Sequence, residues 1–282
     1  MSIPERKVNP QIQMFAEAIG TAPGRNRMQG RHLLVVGAGQ RAVEGAADIA
    51  GNGRAIAMLA AREGARVVCA DINAGSAGET AARISAEGSW AKTLTVDVAI
   101  AEENARMITA AHEAMGALDA LVLNVGISHG RPLAKLTPEI WDREFAINLR
   151  SHMLACQAAL PVMAPGSAIV LISSLASQRP NGHNPAYECT KAAQLALARS
   201  VALAGQRQGI RCNAVAPGLI DTPLGRVATQ NRPKRATMVP FGRQGTGWEV
   251  AYATIFLLSN EASYINAQSI FVDGGLGSGI AM

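Results

Sequence analysis

From residue 32 onward, short apolar runs rich in β-branched residues alternate with longer segments whose apolar residues recur at helical spacing. The short runs predict seven strands, near 32–37, 66–71, 92–96, 118–123, 167–173, 210–215 and 269–273. The longer segments predict helices, among them 53–63, 75–87, 101–115, 138–163, 186–207 and 247–259. Strands separated by helices of this length pair in parallel through right-handed crossovers, which place helices on both faces of the sheet.

The pattern therefore predicts an α/β fold: a doubly wound, Rossmann-type, seven-stranded parallel sheet in a single domain over 32–282. Residues 1–31 precede the first strand and are expected to form a partly helical N-terminal extension. The reason is that four of their apolar residues follow the i, i+3, i+4, i+7 spacing of a helix: Ile12, Phe15, Ala16 and Ile19.

The charge distribution argues against nucleic acid or a membrane surface as a partner. The net charge is +5 and the pI is about 9.3. Residues 1–31 hold five basic and two acidic side chains, or +3, so the remaining 251 residues carry only +2. No basic stripe interleaved with aromatic residues occurs, and no apolar stretch approaches the roughly 18 residues of a membrane span. We expect neither kind of partner.

The cysteines indicate a reducing compartment and no metal site. They are widely spaced, without a C-x-x-C pair or a Cys/His cluster at ligand spacing: Cys69, Cys156, Cys189 and Cys212. The first charged residues are not followed by the apolar core of a signal peptide. A cytoplasmic location is expected.

A strand, a glycine-rich turn and a helix start follow one another between residues 32 and 63. Backbone N–H groups at a helix N-terminus, approached without a Cβ in the way, bind a pyrophosphate. The next strand ends at Asp71, 20 residues after Gly51, where a carboxylate accepts hydrogen bonds from ribose hydroxyls and repels a 2′-phosphate. NAD is therefore favoured over NADP, although a helix cap is an alternative role for Asp71. The candidate cofactor residues here are Gly37, Gly39, Gln40, Gly51, Asn52, Gly53, Asp71 and Ile72.

Two further strands end in small or polar residues, at 97–98 and 124–126. The carboxyl ends of parallel strands form the edge at which open sheets bind ligands. We therefore add these residues to the candidate cofactor site: Asp97, Val98, Asn124, Val125 and Gly126.

The segment YECTK places Tyr187 and Lys191 one helical turn apart on the same face. A phenol with its ordinary pKa of about 10 is a poor base. A neighbouring ammonium favours the phenolate and lowers that pKa. Ser174 ends an apolar strand 13 residues before Tyr187 and can hold a substrate oxygen beside the phenol. The three residues are a candidate site of proton exchange, although a Y-x-x-x-K pattern taken alone more often arises by chance in a helix.

Taken together, these motifs resemble the classical short-chain dehydrogenases/reductases (SDRs), in order and at near-standard spacing over residues 32–275. The positions that also match are Asn148, Pro217-Gly218-x-x-x-Thr222 and Val272-Asp273-Gly274-Gly275. The resemblance implies that Tyr187 is the general acid/base and that Lys191 binds the nicotinamide ribose and lowers the pKa of Tyr187. It implies that Ser174 positions the substrate oxygen and that Asn148 holds a water linking Lys191 to solvent.

The resemblance also implies further contacts with the cofactor and with other copies of the chain. Asp97 and Val98 would meet the adenine, and Asn124 and Gly126 the adjoining ribose. The nicotinamide end would be held by Pro217, Gly218, Ile220 and Thr222. A substrate lid is implied at about 222–246, and a homotetramer or homodimer is implied to pair the helices at about 138–163 and 186–207.

Three departures from the family pattern stand out. Thirteen residues, 38–50, separate Gly37 from Gly51, which makes an insertion of ten in the glycine-rich turn. We expect residues 41–50 to loop outward while the two halves of the turn still meet. Val36 replaces the usual Thr, and Asn52 and Val125 replace the usual Ile and Ala.

The expected function is hydride transfer between NAD and a small secondary alcohol or ketone, with Tyr187 as general acid/base and without a metal. One alternative is an NADP-dependent 3-oxoacyl-thioester-type ketoreductase, for which Arg41 would meet the 2′-phosphate. Another is a non-catalytic dinucleotide-sensing or scaffold protein. The lid is rich in Lys and Arg, which indicates either an anionic or acyl-carrier substrate or a solvated basic loop.

Overall fold

The structure is a computed structural model that describes residues 14–44 and 49–278. Its strands are β1 (His32–Val36), β2 (Arg66–Asp71), β3 (Ala91–Thr95), β4 (Ala120–Leu123), β5 (Ala168–Ile172), β6 (Arg211–Pro217), β7 (Ile220–Asp221), β8 (Gly245–Thr246) and β9 (Ser269–Val272). Its α-helices are α1 (Ala16–Ile19), α2 (Asn52–Arg62), α3 (Ala74–Ala86), α4 (Ala101–Met115), α5 (Pro138–Phe145), α6 (Ser151–Ala159), α7 (Pro185–Gly205), α8 (Pro223–Asn231) and α9 (Gly247–Leu258).

Seven strands form one parallel sheet in the order β3-β2-β1-β4-β5-β6-β9. The predicted fold class is confirmed. The chain builds outward from β1 to β3 and then returns to place β4 on the other side of β1. This reversal leaves a crevice at the carboxyl ends of β1 and β4, where doubly wound sheets bind ligands.

The sheet is buried on both faces because successive strand residues point to opposite sides. On one side Leu33 and Val35 pack with the apolar residues of α2, α3 and α9. On the other side Leu34 and Val36 pack with those of α4, α6 and α7. The two clusters fix the orientation of each strand and so determine which residues emerge at the carboxyl edge. Within the described ranges no helix has both the length and the apolar character needed to cross a membrane.

The structure divides the helix predicted at 138–163. α5 and α6 are joined by a π-helical turn, Ala146–Arg150. A π turn adds a single residue within a helix, and this change is too local for the spacing of apolar residues to reveal it. The short parallel pair β7 and β8 was also not predicted, because two residues are too few to show alternation.

The residues before β1 pack closely on the sheet domain. The buried carboxylate of Glu63, after α2, accepts hydrogen bonds from the backbone N–H groups of Arg25 and Arg27 at 2.8 and 3.0 Å and from the Arg27 guanidinium at 2.6 Å. Burial alone raises the pKa of Glu63, but the bonds from Arg27 and Arg25 bring it below its usual value. Thr246 Oγ1 also donates to the carbonyl of Ala18 at 2.6 Å. The predicted helical segment at 12–19 is described only from residue 14.

Gly53 permits the close approach of α2 to β1, which makes it a test of the packing. A Cβ at this position would overlap the carbonyl oxygen of Gly37. We expect Gly53→Ala to lower the free energy of unfolding by about 1–3 kcal/mol through overpacking. Each kcal/mol should lower Tm by roughly 2–4 °C. In the control Gly78→Ala, the Cβ enters open space in α3, so Tm should stay constant or rise. Thermal unfolding measures both, and an unchanged Tm for Gly53→Ala would contradict this account.

Candidate active site

Four predicted catalytic residues lie on elements that meet at the carboxyl edge of the sheet. Ser174 follows β5, Tyr187 and Lys191 lie in the first two turns of α7, and Asn148 lies in the π turn between α5 and α6. α7 is joined to β5 because Ser173 Oγ donates to the carbonyl of Lys191 at 2.8 Å. This contact brings the first turns of α7 next to the end of β5.

The side chain of Ser174 is close enough to the phenol of Tyr187 to influence its ionisation. The pKa of Tyr187 is raised above its ordinary value, mainly by burial and also by the charge of Glu144, while Ser174 and Arg235 act to lower it. This direction differs from the lowering expected from Lys191. The difference arises because the loss of hydration disfavours the phenolate more than Ser174 and Arg235 favour it.

Lys191 is buried, and its Nζ donates to the carbonyl of Ile172 at 2.9 Å. Nζ lies 5.5 Å from the centroid of the Tyr187 ring. Burial lowers the pKa of Lys191 to about 7, because an ammonium without bulk water is destabilised. Gly126 allows this position, since a Cβ there would lie 3.1 Å from Nζ. Lys191 can therefore gain or lose its proton near neutral pH.

Asn148 links the loop after β4 to α7. Its Oδ1 accepts from the N–H of Ile127 at 2.8 Å, and its Nδ2 donates to the carbonyl of Ile127 at 2.9 Å and to Thr190 Oγ1 at 3.1 Å. Its backbone carbonyl accepts from Gln194 Nε2 at 2.6 Å. These contacts hold the π turn against α7. The expected role of Asn148 in holding a water stays a prediction.

His152 and Gln194 form a buried pair near Lys191 that was not predicted from the sequence. Gln194 Nε2 is 2.9 Å from His152 Nδ1, and His152 Nε2 is 3.2 Å from the carbonyl of Val125. Burial, followed by the charge of Lys191, lowers the pKa of His152 to about 3. The imidazole is therefore neutral, accepts at Nδ1 and donates from Nε2. Isolated His and Gln residues in apolar helices carry no sequence signal for such a pair.

A second feature missed in the sequence is the buried carboxylate of Glu144, on α5. Its Oε1 accepts from the N–H of His129 at 2.6 Å and from His129 Nδ1 at 3.0 Å. Its Oε2 is buried without a hydrogen-bond partner. After burial, the charge of Glu144 also raises the pKa of Tyr187, so this carboxylate lies within electrostatic range of the phenol. His129 and Glu144 are 15 residues apart in the chain, and no pattern in the sequence indicated this pair.

The glycine-rich turn connects three strand ends. The carbonyl of Gly37 accepts from Asn124 Nδ2 at 2.8 Å, which ties β1 to the end of β4. The N–H of Gly39 donates to Asp71 Oδ2 at 2.9 Å, which ties the turn to β2. Gln40 Oε1 accepts from the N–H of Gly51 at 2.7 Å, so the residues before and after the long segment are in direct contact. Of that segment, residues 45–48 lie outside the described residues.

The residues at this crevice fit a dinucleotide. α2 begins at Asn52 without a side-chain cap, and Asn52 Oδ1 is buried without a hydrogen-bond partner. The free N–H groups of a first helical turn favour a pyrophosphate. Asp71 is partly exposed at the end of β2, and the exposed side chain of Ile72 follows it. A carboxylate beside an apolar side chain suits an adenosine ribose and its base.

Two other groups of candidate residues have local structural roles in addition. Asp97 Oδ1 accepts from the N–H of Ala99 at 2.9 Å and so closes a turn, while Val98 is buried. Thr222 Oγ1 accepts from the N–H of Gly225 at 3.0 Å and caps α8. The remaining members follow β6: Pro217 ends it, the N–H of Gly218 donates to the carbonyl of Val272 at 2.9 Å, and Ile220 begins β7.

Within residues 14–44 and 49–278 no group of three or more His, Cys, Asp or Glu side chains has the arrangement of a metal site.

Comparisons with known proteins agree with this geometry. A family model described as Enoyl-(Acyl carrier protein) reductase matches residues 45–277. The chain is 36% identical to L-rhamnose 1-dehydrogenase (NAD(P)(+)) of Azotobacter vinelandii, over 80% of this chain and 92% of that protein. It is 34% identical to sorbitol dehydrogenase of Cereibacter sphaeroides, over 88% of this chain and 98% of that protein.

Solved structures give the same result. A short-chain dehydrogenase/reductase from Burkholderia xenovorans superposes with a TM-score of 0.84 at 33% identity, covering 90% of this chain and 99% of that one. The family model, the relatives and the solved structure agree over most of the chain, including the carboxyl edge of the sheet. The chain therefore belongs to the short-chain dehydrogenase/reductase family, and it is an NAD(P)-dependent oxidoreductase that acts on CH–OH and C=O groups.

Proposed function

We propose that this enzyme transfers a hydride between NAD and a secondary alcohol or ketone, with Tyr187 as the general acid/base. The observation that carries the proposal is that Tyr187 lies beside both Ser174 and Lys191 at the carboxyl edge of the sheet. The pyrophosphate would be held by the free backbone N–H groups of Asn52 and Gly53 at the start of α2. The nicotinamide end would be held by Lys191 and by the segment 217–222.

The chain's own residues supply the proton and the oxygen contacts. In oxidation Tyr187 takes the hydroxyl proton of the substrate, and in reduction it returns one to the carbonyl oxygen. Ser174 donates a hydrogen bond to the same oxygen and stabilises the charge that develops there. When bound, the nicotinamide supplies the hydride acceptor or donor. Lys191 favours the phenolate whenever its own side chain is protonated.

Replacement of the phenol tests the proposal. Tyr187→Phe is expected to lower kcat by about 10²–10⁴-fold, the usual contribution of general acid/base catalysis. The affinity for NADH, measured by fluorescence titration, should change by less than about threefold, because the ring remains in place. Tyr264→Phe, at an exposed position, is the control and should leave kcat unchanged. Full turnover by Tyr187→Phe would assign the proton transfer to another acid/base, and no turnover by the unmodified protein would favour the non-catalytic alternative.

The preference for NAD rests on Asp71. Its carboxylate is oriented by the N–H groups of Gly39 and Asn73, at 2.9 and 3.0 Å. These bonds keep its negative charge at the end of β2, where a 2′-phosphate would be repelled. Arg41, the cation considered for that phosphate, is exposed in the segment after the turn.

Asp71→Ser is expected to lower kcat/KM for NAD by about 10–100-fold, because the ribose loses a charged hydrogen-bond acceptor worth about 1.5–3 kcal/mol. The value for NADP should fall less or rise, because the repulsion is removed. The ratio of the two values is the readout, since a general loss of stability lowers both. Equal or better use of NADPH by the unmodified enzyme would contradict the preference.

We also propose that the enzyme forms a homodimer or homotetramer through the face of α5, α6 and α7. An apolar groove on this face is lined by Phe145, Leu149, Met153, Ala193 and Leu197. Apolar grooves of this kind on a protein surface commonly mark an interaction site. The groove lies on the two helical regions that the family resemblance assigns to subunit pairing.

A charge placed in the groove tests this pairing. Leu197→Glu is expected to shift the species seen by light scattering towards the 29.4 kDa monomer, because two buried carboxylates would face one another. The variant should keep its far-ultraviolet circular dichroism, since Leu197 is only partly buried within one chain. A stable monomer in the unmodified protein would overturn the proposal.

A further inference from the structure

The lid segment, residues 222–246, carries positive charge only. It contains five basic side chains and no acidic one: Arg226, Arg232, Lys234, Arg235 and Arg243. Two of them pair with carboxylates outside the segment, Arg226 with Asp221 at 2.9 Å and Arg243 with Glu249 at 2.6 Å. In the part of the chain that the structure describes, no ion pair is formed by the other three.

Arg235 differs from an ordinary solvated surface cation. It lies in a 3₁₀ turn, Pro233–Thr237, and is only partly exposed. Its Nε is buried without a hydrogen-bond partner. Burial lowers the pKa of Arg235, and the charge of Arg232 lowers it further. A shielded guanidinium nitrogen beside a second cation is unfavourable until an acceptor of opposite charge reaches it.

Arg235 also lies within electrostatic range of the Tyr187 phenol. The attraction between its charge and a Tyr187 phenolate acts to lower the pKa of Tyr187 and to raise the pKa of Arg235, but the effect of burial is larger at both groups. Glu144 faces the same phenol, but its Oε1 is bound to His129 at 3.0 Å, and its Oε2 has no partner. The guanidinium therefore acts on the phenol from within electrostatic range, and within the described residues it forms no ion pair with a carboxylate.

We propose that Arg235 binds an oxyanion of the substrate, so that the enzyme acts on secondary alcohols and ketones that also carry a carboxylate, sulfonate or phosphate. The planar guanidinium offers parallel N–H donors that match two oxygens of such a group. Arg232 adds positive charge on the same turn. This inference rests on the proposed function and names the substrate class of the same site.

The test compares oxo acids with their uncharged esters. The substrates are 3-oxobutanoate, 4-oxopentanoate and 5-oxohexanoate, each beside its methyl ester, with NADH as reductant. Arg235→Gln is expected to raise KM for the preferred acid by about 10–100-fold, the usual effect of losing a charged hydrogen bond. KM for the corresponding methyl ester should change by less than about threefold. Arg235→Lys should give an intermediate KM, because it keeps the charge without the paired donors.

Lys234→Gln is the matched control, because it removes the same charge from the same turn at an exposed position. It should change KM for the acid by less than about twofold. If Lys234→Gln reproduced the effect of Arg235→Gln, the charge of the whole lid and not a site at Arg235 would be responsible. Equal effects of Arg235→Gln on acid and ester would also overturn the proposal.

A binding measurement separates this inference from the proposed function. Calorimetric titration of the oxo acids into Tyr187→Phe in the presence of NADH should show binding that is lost in the double variant with Arg235→Gln. Binding without turnover by the unmodified enzyme would remove the proposed reaction and leave the anion site. Turnover of acid and ester at equal kcat/KM would keep the reaction and remove the anion site. If the unmodified enzyme showed neither binding nor turnover of these acids, both the proposed reaction and the anion site would be overturned.

Discussion

The active site depends on a buried ammonium that has lost most of its hydration. Lys191 is held against the end of β5 by one bond from Nζ to the carbonyl of Ile172 at 2.9 Å. This loss of water lowers its pKa to about 7, so the energetic difference between its charged and neutral forms is small at neutral pH. A cation of that kind responds to charges brought near it. The same contacts that bury it also hold α7 in register with β5, through the bond from Ser173 Oγ to the Lys191 carbonyl.

The polar groups behind Lys191 are arranged so that they add no second charge. His152 is fully enclosed, and its pKa of about 3 keeps it neutral near pH 7, where Lys191 gains or loses its proton. With one tautomer it can accept from Gln194 and donate to Val125, at 2.9 and 3.2 Å. Gln194 in turn donates to the carbonyl of Asn148 at 2.6 Å. The network joins α6, α7 and the loop after β4 through neutral hydrogen bonds, which require no compensating ion.

The sequence predicted the strands, the crossover helices and the glycine-rich turn, because each has a local pattern of periodicity or residue type. The positions of Ser174, Tyr187 and Lys191 followed from spacing and from the family resemblance. The π turn, the β7–β8 pair and the partners Glu144, His152 and Gln194 did not. Their roles depend on which surfaces helices present to one another after the sheet forms, and a single buried polar residue in an apolar helix has no periodic signature. The pKa of Tyr187 was expected in the wrong direction, because burial is a tertiary property and outweighs a neighbouring charge here.

Burial has the largest effect on how readily the phenol ionises, and two charges from different layers of the molecule adjust it. Glu144, fixed on α5 by His129, opposes the phenolate, and Arg235, in the segment 222–246, favours it. A further charge would be the oxyanion of a substrate bound at Arg235. That anion would offset the guanidinium and leave the effect of Glu144 unopposed, so the neutral phenol would be favoured. The neutral phenol is the acid that carbonyl reduction needs. Binding of a charged oxo acid would therefore prepare Tyr187 for proton donation, whereas oxidation of the matching hydroxy acid would need Lys191 in its ammonium form to restore the phenolate.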